Sequence, residues 1–251
     1  MSRATRTILV EGFEDIVAVE EPLEIRVEGK PTAVTMRMPD DDLDLVVGFL
    51  TTEGVIGPDD AMADIAALAQ ISENVVDVRL ADGVSPSRAR SADRSLYATS
   101  SCGICGKASI DRILRGRPGP LVPTEPVPEV LMALATAFEA AQRHTRTTGC
   151  AHAAALFDGE GRILVLREDV GRHNAVDKVI GAWLRRDASF DGLGLVVTSR
   201  AGFEVVQKAI TVGVALVCTL GAPTSLAIEV ASQSGCTLVG WLRPDRLRRF
   251  V

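Results

Sequence analysis

The chain has 251 residues, of which 47% are apolar and 24% charged, a composition typical of a globular protein. Its formal net charge of −6 argues against broad nucleic-acid binding, which needs an excess of Lys and Arg to neutralise phosphates. No apolar run approaches the ~20 residues of a membrane-spanning helix, and the first residues lack the apolar stretch of a secretory signal. The five cysteines, an odd number, fit a reducing compartment better than a disulfide framework, so we expect a cytoplasmic protein.

The first part of the chain, 1–118, is predicted to form a small β-rich domain. Apolar and charged side chains alternate on both sides of a turn at Gly29, which indicates a β-hairpin. Three consecutive aspartates, 40–42, provide an N-cap and an acidic first turn for a helix that ends at Gly54. A mobile loop, about 84–106, is predicted to follow the last strand. The predicted elements are strands over 21–28, 32–38 and 75–80 and a helix over 43–53.

A proline-rich segment, 118–128, marks the predicted boundary with a C-terminal α/β domain, 119–251. In this domain, apolar strands alternate with amphipathic helices, which predicts a mostly parallel sheet with helices on both faces, and a chain that is α+β overall. Glu204 and Lys208, four residues apart on one helix, are predicted to pair. The predicted elements are helices over 129–144, 176–184, 203–211 and 224–234, and strands over 151–157, 162–166, 193–198, 214–219 and 237–242.

Cys102 and Cys105 form a CxxC motif between small residues, after a polar segment that carries several arginines. Thiols in such a setting serve redox exchange, metal ligation or sulfur carriage. A thioredoxin-like pair would open a helix directly after a strand, whereas this motif follows a long polar loop. Zinc would need two further ligands, for which Cys150 and His152 are the nearby candidates. A sulfur carrier needs one accessible thiolate on a mobile segment, and the sequence predicts both.

Three loops of the C-terminal domain are predicted to meet at one edge of its sheet, because ligands of open α/β sheets bind beyond the carboxyl ends of the strands. Each loop is short, rich in small residues, and opens a helix whose N-terminal amides attract anions. Arg172 and Arg200 add two guanidinium groups suited to phosphate, so the edge predicts a phosphorylated small-molecule ligand. The loops are 168–174, 199–202 and 220–225.

Different roles are predicted for four residues of this domain, His152, His173, Cys218 and Cys236. His173 lies at a loop-to-helix junction of the edge, where a binding role is expected. His152 is either a core histidine or part of the ligand site. Zinc-dependent nucleobase deaminases carry His-x-Glu, and because Ala154 stands at the glutamate position, that hydrolytic chemistry lacks its acid and base. Cys218 and Cys236 lie in apolar strands and are expected to be buried.

Five blocks of the sequence carry a resemblance to a known family. The blocks are Ser101–Lys107, Thr148–Gly149 with His152, Glu168–Lys178, Ser199–Arg200 with Glu204 and Gln207–Lys208, and Ala222–Ala227. Together they resemble FdhD, the formate dehydrogenase accessory sulfurtransferase family, from Val17 to Leu242. The stretch from Asp169 to Lys178 is highly specific for that family. Cys150 departs from the pattern, since relatives often have a small or apolar residue there.

The resemblance implies a cytoplasmic homodimer that takes persulfide sulfur from a cysteine desulfurase. Cys102 and Cys105 would carry this sulfur to the molybdenum bis(molybdopterin guanine dinucleotide) cofactor before the cofactor enters formate dehydrogenase. The cofactor would be a bound substrate, and the protein itself would ligate no metal. The C-terminal domain would be a three-layer αβα sandwich resembling a zinc-free cytidine deaminase.

The resemblance and the predicted edge together assign the cofactor site. The segment 218–223 would contact the cofactor, with backbone N–H and C=O groups of 219–222 presented to the purine. Two alternatives stay open: a zinc-stabilised interaction module built on the CxxC motif, and a non-catalytic chaperone that shelters the cofactor. The residues expected to bind it are His152, Arg172, His173, Asn174, Ser199, Arg200, Gly202, Cys218, Thr219, Leu220, Gly221, Ala222 and Pro223.

Overall fold

The computed structural model describes residues 3–57, 61–84, 119–186 and 189–251. The elements of the N-terminal part are β1 (Thr5–Val10), β2 (Phe13–Ala18), β3 (Glu21–Val27), β4 (Lys30–Arg37), α1 (Asp42–Thr52), β5 (Ile65–Ser72) and β6 (Val75–Leu80). β1 and β2 form an antiparallel hairpin of their own. The other strands form a sheet in the order β4–β3–β6–β5, in which β3 and β6 are parallel and the outer pairs antiparallel.

The predicted hairpin around Gly29, the helix after the aspartates and the strand over 75–80 are confirmed. The predicted capping role of the aspartates is not. Asp41, at the N-cap of α1, has a left-handed backbone with φ 58°, and its side chain makes no capping hydrogen bond. Asp42 instead accepts a hydrogen bond from the buried guanidinium of Arg37, at 2.8 Å from Nε to Oδ1. The strands β1, β2 and β5 were not predicted.

The C-terminal part contains a six-stranded sheet in the order β12–β11–β10–β9–β7–β8. Its elements are α2 (Pro128–Ala141), α3 (His144–Thr148), β7 (His152–Phe157), β8 (Ile163–Asp169), α4 (Arg172–Leu184), β9 (Gly194–Val197), α5 (Phe203–Thr211), β10 (Leu216–Thr219), α6 (Ser225–Ser234), β11 (Thr237–Arg243) and β12 (Arg246–Arg249). β9, β10 and β11 are parallel, whereas β7 is antiparallel to β9 and β8, and β12 to β11. The sheet is therefore mixed rather than mostly parallel. The turn between β7 and β8 is too short for the crossover that a parallel pair requires.

Side chains that alternate along the strands form two buried clusters, one on each face of this sheet. Leu195 and Val197 of β9 lie in the larger cluster, with residues of α4, α5 and α6. Val196, between them, lies in the smaller cluster with residues of α2. The helices thus cover both faces, and the C-terminal part has the three-layer αβα arrangement that the resemblance implied.

The larger cluster also contains side chains of the N-terminal part. Ile25 of β3 and Leu45 of α1 are fully buried in the same cluster as Val176 and Ile180 of α4. The two predicted domains therefore share one core. The predicted boundary between them lies at the end of the stretch 85–118, which is outside the described residues, and it stays a prediction.

The helices α1 and α4 cross with their backbones in contact. A Cβ added at Gly48 would overlap the carbonyl of Asp177, and one added at Gly181 would overlap that of Asp44. The second of these would also lie 2.7 Å from the backbone N of Gly48. Glycine at both positions is what allows this close approach.

Lys208 of α5 is buried and connects three helices. Its Nζ lies 2.9 Å from Oδ2 of Asp177 on α4 and 2.9 Å from Oγ1 of Thr52 on α1. Burial lowers the pKa of Lys208, but the carboxylates of Asp177 and Glu53 raise it above its ordinary value overall, so the ammonium stays charged. The predicted pairing of Lys208 with Glu204 is wrong, since Glu204 contacts His173 instead.

Strand β12 lies at the edge of the six-stranded sheet and exposes three arginines, Arg246, Arg248 and Arg249. The remaining residue of this strand, Leu247, packs against the smaller buried cluster. Across the described parts of the chain, no helix combines the length and the apolar character that a membrane crossing requires.

Candidate functional site

The three predicted loops meet at one edge of the sheet. β8, β9, β10 and β11 run in the same direction, so their carboxyl ends lie together, and β7 starts at the same edge because it runs the opposite way. The second and third loops are joined directly. Gly221 N donates to Ser199 O at 3.2 Å, Thr224 N donates to Ala201 O at 2.9 Å, and Ala201 forms an isolated bridge with Pro223.

Arg200 lies over the third loop and exposes its side chain. A Cβ added at Gly221 would lie 2.9 Å from Cγ and 3.1 Å from N of Arg200, so this position requires glycine. Ser199 is buried, and its hydroxyl donates to the Arg200 carbonyl at 3.1 Å. Neither Arg200 nor Arg172 forms an ion pair with any described residue. Both guanidinium groups therefore keep their hydrogen-bonding capacity for a ligand.

Two helices begin at this edge without a side-chain cap. The N-cap of α4 is Gly171 and that of α5 is Gly202, and neither has a side chain that could accept the first amides. In contrast, the hydroxyl of Thr224 accepts a hydrogen bond from Ala227 N at the start of α6. The first amides of α4 and α5 therefore have no side-chain acceptor at the cap, and anion binding at these loops stays a prediction.

Both edge histidines are held neutral by their surroundings. Burial lowers the pKa of His173 to about 4, against the effect of Glu204, whose Oε2 lies 3.1 Å from Nε2 without an aligned hydrogen bond. Burial also lowers the pKa of His152, whose Nδ1 lies 3.3 Å from Thr198 Oγ1. The positive charge of Arg172 acts in the same direction on both imidazoles. Neutral imidazoles can serve a ligand as donor or acceptor, while the positive charge of the edge comes from its arginines.

Asn174 was predicted to bind the ligand, but the structure gives its amide other partners. Its Nδ2 donates to Met36 O at 2.7 Å and to Asp169 Oδ1 at 3.2 Å. Its Oδ1 accepts from Thr35 Oγ1 at 3.1 Å. Since the side chain is buried and its donors and acceptor are used, it positions β4 against the start of α4.

A buried ion pair strengthens the same connection, and sequence reasoning missed it. Lys178 Nζ lies 2.8 Å from Asp169 Oδ2 and donates to Met38 O at 2.8 Å. Asp169 Oδ2 also accepts from Met38 N at 3.1 Å. A lysine within the apolar face of a helix was the available signal, because a buried ammonium needs a carboxylate partner.

Cys218 and Thr219 cannot offer their side chains to a ligand. Cys218 is fully buried, and burial raises the pKa of its thiol far above the ordinary range, so it stays protonated. Burial raises the pKa of the Cys236 thiol to about 12. Thr219 is also fully buried. The prediction that Cys218 and Cys236 pack in the core agrees with this burial, while a ligand contact at 218–219 is left to the backbone.

The backbone of Leu220 and Gly221 is already paired within the protein, contrary to its predicted role in binding a purine. Leu220 N donates to strand β9, and Gly221 N donates to the loop that follows β9. The Gly221 carbonyl accepts two hydrogen bonds. Ala222 N, by contrast, has no partner among the described residues, and Pro223 is half-buried. The pairs are Leu220 N to Val197 O (3.1 Å), Gly221 N to Ser199 O (3.2 Å), Arg243 Nη1 to Leu220 O (2.7 Å), and Trp241 N (3.1 Å) and Thr219 Oγ1 (2.9 Å) to Gly221 O.

Cys102 and Cys105, predicted to be the catalytic thiols, lie outside the described residues. Cys150 is exposed, with its Sγ 3.5 Å from Thr148 Oγ1. Within the described ranges, no three His, Cys, Asp or Glu side chains are grouped as ligands of a metal ion. The alternative zinc site would require the two undescribed thiols, and it stays open.

Residues 18–251 match the FdhD/NarQ family. The chain is 46% identical to the sulfur carrier protein FdhD of Streptomyces avermitilis, over 91% of this chain and 84% of that protein. It is 44% identical to that of Mycobacterium tuberculosis, over 94% and 90%. Its fold resembles the crystal structure of a formate dehydrogenase accessory protein from Desulfotalea psychrophila, with a TM-score of 0.74 at 24% identity over 98% of this chain and 94% of that one, which confirms the predicted fold class. By its sequence, the chain belongs to the FdhD/NarQ family.

Proposed function

We propose that this protein is a sulfurtransferase of formate dehydrogenase maturation. Cys102 and Cys105 transfer persulfide sulfur from a cysteine desulfurase to the molybdenum bis(molybdopterin guanine dinucleotide) cofactor. Relatives at 44–46% identity over most of the chain are named sulfur carrier proteins, which supports the carrier role. The protein acts in the cytoplasm as a homodimer, with the desulfurase as donor and formate dehydrogenase as the recipient of the cofactor.

Binding of the cofactor is supported above all by the sheet edge at which Arg172, Arg200 and the uncapped starts of α4 and α5 lie. Each nucleotide end of the cofactor carries a pyrophosphate, and guanidinium groups and free helix amides are the donors that bind such groups. His152 and His173 have lowered pKa values and add no charge of their own to this edge. The edge thus suits a large ligand that is anionic at more than one point.

The proposed transfer of sulfur takes place in two steps. The Cys102 thiolate attacks the outer sulfur of the desulfurase persulfide, the S–S bond of that persulfide breaks, and the desulfurase thiolate leaves. Once the cofactor is bound, the Cys105 thiolate attacks the inner sulfur of the persulfide on Cys102, so the persulfide persists on protein without cofactor. A Cys102–Cys105 disulfide forms, and the outer sulfur leaves as hydrosulfide, the reduced form that a metal binds. The two electrons that reduce this sulfur come from the two thiols.

Intact-mass spectrometry after incubation with cysteine and a desulfurase tests the carrier role. The wild-type chain should gain about 32 Da, the mass of one sulfur atom, and a thiol reagent should remove it. Cys102→Ala should abolish the adduct. Cys150→Ala is the matched control, because Cys150 is the exposed cysteine of the described residues and should not be required.

Equal labelling of the wild type and of the double variant Cys102→Ala, Cys105→Ala would contradict the proposal. Metal analysis of the same purified protein separates the zinc alternative. Zinc bound in a one-to-one ratio and lost in that double variant would support the interaction module instead of a sulfur carrier.

A further inference from the structure

Strand β5 lies at the edge of the four-stranded sheet and has a neighbouring strand on one side. It pairs with β6, with Leu68 opposite Val78 and Ala69 opposite Asp77. Its other side is open, since no backbone group of 66–72 bonds to any described residue outside that pairing. The sequence of the strand, IAALAQIS, contains no charged residue, no proline and no glycine. An uncharged open edge of this kind is a template for a further strand.

The strands at the other sheet edges carry protective residues, of the kinds that prevent edge-to-edge pairing. β4 begins with Lys30 and Pro31, and Asn174 at the start of α4 donates to the Met36 carbonyl of this strand at 2.7 Å. β12 contains three arginines, β8 ends in an Arg-Glu-Asp sequence, and both strands of the N-terminal hairpin are charged. Among the edges of the described sheets, β5 is therefore the one without charge or proline.

The open edge of β5 is also held in an extended form, ready for pairing. Leu68 packs against the larger buried cluster, and Gln70 Nε2 donates to Oδ2 of Asp42 on α1 at 3.2 Å. Ala69 and Ile71 are exposed, Ile71 to 59%. The small side chains of the alanines leave the backbone of this edge accessible to another strand.

We propose that β5 pairs antiparallel with β5 of a second copy of this chain, which joins two four-stranded sheets into one sheet of eight strands. This inference rests on the proposed function, in which the protein is a homodimer. In a twofold-symmetric contact a strand faces itself, so any charge on it would oppose the same charge. β5 carries no charge and can face itself without repulsion. Pairing stops at two copies, because the far edge of each sheet is the protected strand β4.

The symmetry of this contact determines which side chains meet. A twofold axis perpendicular to the sheet keeps the faces that pack on α1 on the same side, and it places the central residue of the strand opposite its own copy. With the axis at Leu68 or Ala69, the two Ala69 Cβ atoms lie about 5 to 8 Å apart. Because Ala69 is exposed, a longer side chain there leaves the core of each copy intact. A charge introduced at this position would meet the same charge in the second copy.

Sedimentation velocity over a range of protein concentrations tests this interface. Wild type should sediment as a dimer, at twice the 26.6 kDa of one chain. Ala69→Lys and Ala69→Glu should each raise the dissociation constant of the dimer at least about tenfold, because like charges then face each other. Ala69→Ser adds no charge, and Ala137→Lys adds the same charge to the exposed side of α2, so both should leave this constant unchanged.

A mixture of the two charged variants separates repulsion from misfolding. When Ala69→Lys and Ala69→Glu proteins are combined in equal amounts, opposite charges face each other, and dimers should return with the wild-type dissociation constant or a lower one. A variant that had failed to fold would not be rescued in this way.

Hydrogen exchange of the wild-type protein needs no substitution at the edge. Amides that gain a hydrogen-bond acceptor in the second copy open less often and exchange more slowly. Peptides that cover β5 should therefore exchange more slowly at protein concentrations above the dissociation constant than below it. Peptides that cover β12 should exchange at the same rate at both concentrations.

The outcomes distinguish this inference from the proposed function. If wild type is a dimer but both charged variants dimerise as tightly as wild type, or if exchange at β5 does not depend on concentration, the β5 interface is wrong and the homodimer stands. If wild type stays monomeric even at millimolar concentration, the homodimer itself is wrong, and the interface fails with it. The mass adduct on Cys102 tests the carrier role independently of either result.

Discussion

His173 is an imidazole that the fold holds neutral. Burial disfavours its protonated form and lowers its pKa to about 4 from 6.5, although Glu204 opposes the shift. In the unfolded chain the same side chain titrates near its ordinary pKa. Between these two values the unfolded state binds a proton that the folded state excludes. The contribution of neutral His173 to stability is therefore fully present above about pH 6.5 and is lost as the pH falls toward 4.

His173→Gln should make the folded protein less sensitive to acid. Between pH 7 and pH 5, wild type should lose about 2 kcal/mol of unfolding free energy that the variant does not lose, at 1.36 kcal/mol for each pH unit below 6.5. Urea titrations at both pH values measure the difference. Glu204→Gln removes the group that favours protonation, so that variant should keep the full loss. An equal loss in His173→Gln and wild type would show that His173 is not responsible.

At the scale of elements, the helix pair α1–α4 connects the N-terminal part to the sheet edge where the three loops meet. Because Gly48 and Gly181 let the two backbones touch, hydrogen bonds from Lys208 and Thr52 to Asp177 can bridge the same pair. These contacts hold the middle of α4, while Asn174 and Lys178 tie its first turns to β4 and to the residue that follows it.

Gly48→Ala should destabilise the protein by at least the upper end of the ~1–3 kcal/mol typical of overpacking, because the new Cβ meets a backbone carbonyl that cannot rotate away. Gly159→Ala is the control, since a Cβ there meets its nearest neighbour, Thr124 Oγ1, at 3.9 Å. Denaturant unfolding of the two variants measures the contrast. If Gly48→Ala costs no more than Gly159→Ala, the helices do not cross as closely as described.

Periodicity alone was enough to predict most of these elements, including α4, α5, α6 and the strands between them. It failed for β5, whose sequence IAALAQIS has little β-branched character and becomes a strand by pairing with β6. It also failed for Lys208, because helical spacing favoured Glu204 while the buried carboxylate of Asp177 lies on another helix. Contacts between elements that are distant in the sequence leave no periodic signal.

In the candidate site too, some features could be predicted from the sequence, while others depend on contacts made in the fold. The three loops and their arginines follow from strand order and from motifs, so the sequence was sufficient to predict them. The partners of Asn174 and the left-handed backbone of Trp241 depend on where β4 and Gly221 lie in the folded chain. A binding role for Asn174 was a fair expectation from the loop it occupies, but the fold uses its amide to hold β4.

At the scale of the whole molecule, one buried cluster runs from β3 and α1 into α4, α5 and the sheet beneath them. Separating the two parts would expose the fully buried Leu45 and Val176 to water, so neither part is expected to unfold alone. The described residues should therefore unfold in a single transition.

Far-UV circular dichroism, which reports on all elements, and tryptophan fluorescence, which reports on the C-terminal part, should give coincident urea curves. Both tryptophans lie beyond residue 119, so the fluorescence signal is specific to that part. A first transition seen by circular dichroism and absent from fluorescence would show that the N-terminal part unfolds independently, as separate domains do.

The arginines of β12 limit how this protein can associate with itself. An edge strand exposes unpaired N–H and C=O groups that invite the sheet of a second molecule. Two copies that met along β12 would bring Arg246 and Arg248 of both copies close together, and opposed like charges repel, whereas Arg249 is paired with Glu125. Continuous growth of the sheet from molecule to molecule is thus blocked at its open end. If the chain forms a homodimer as proposed, we expect the two copies to meet on a surface other than the β12 edge.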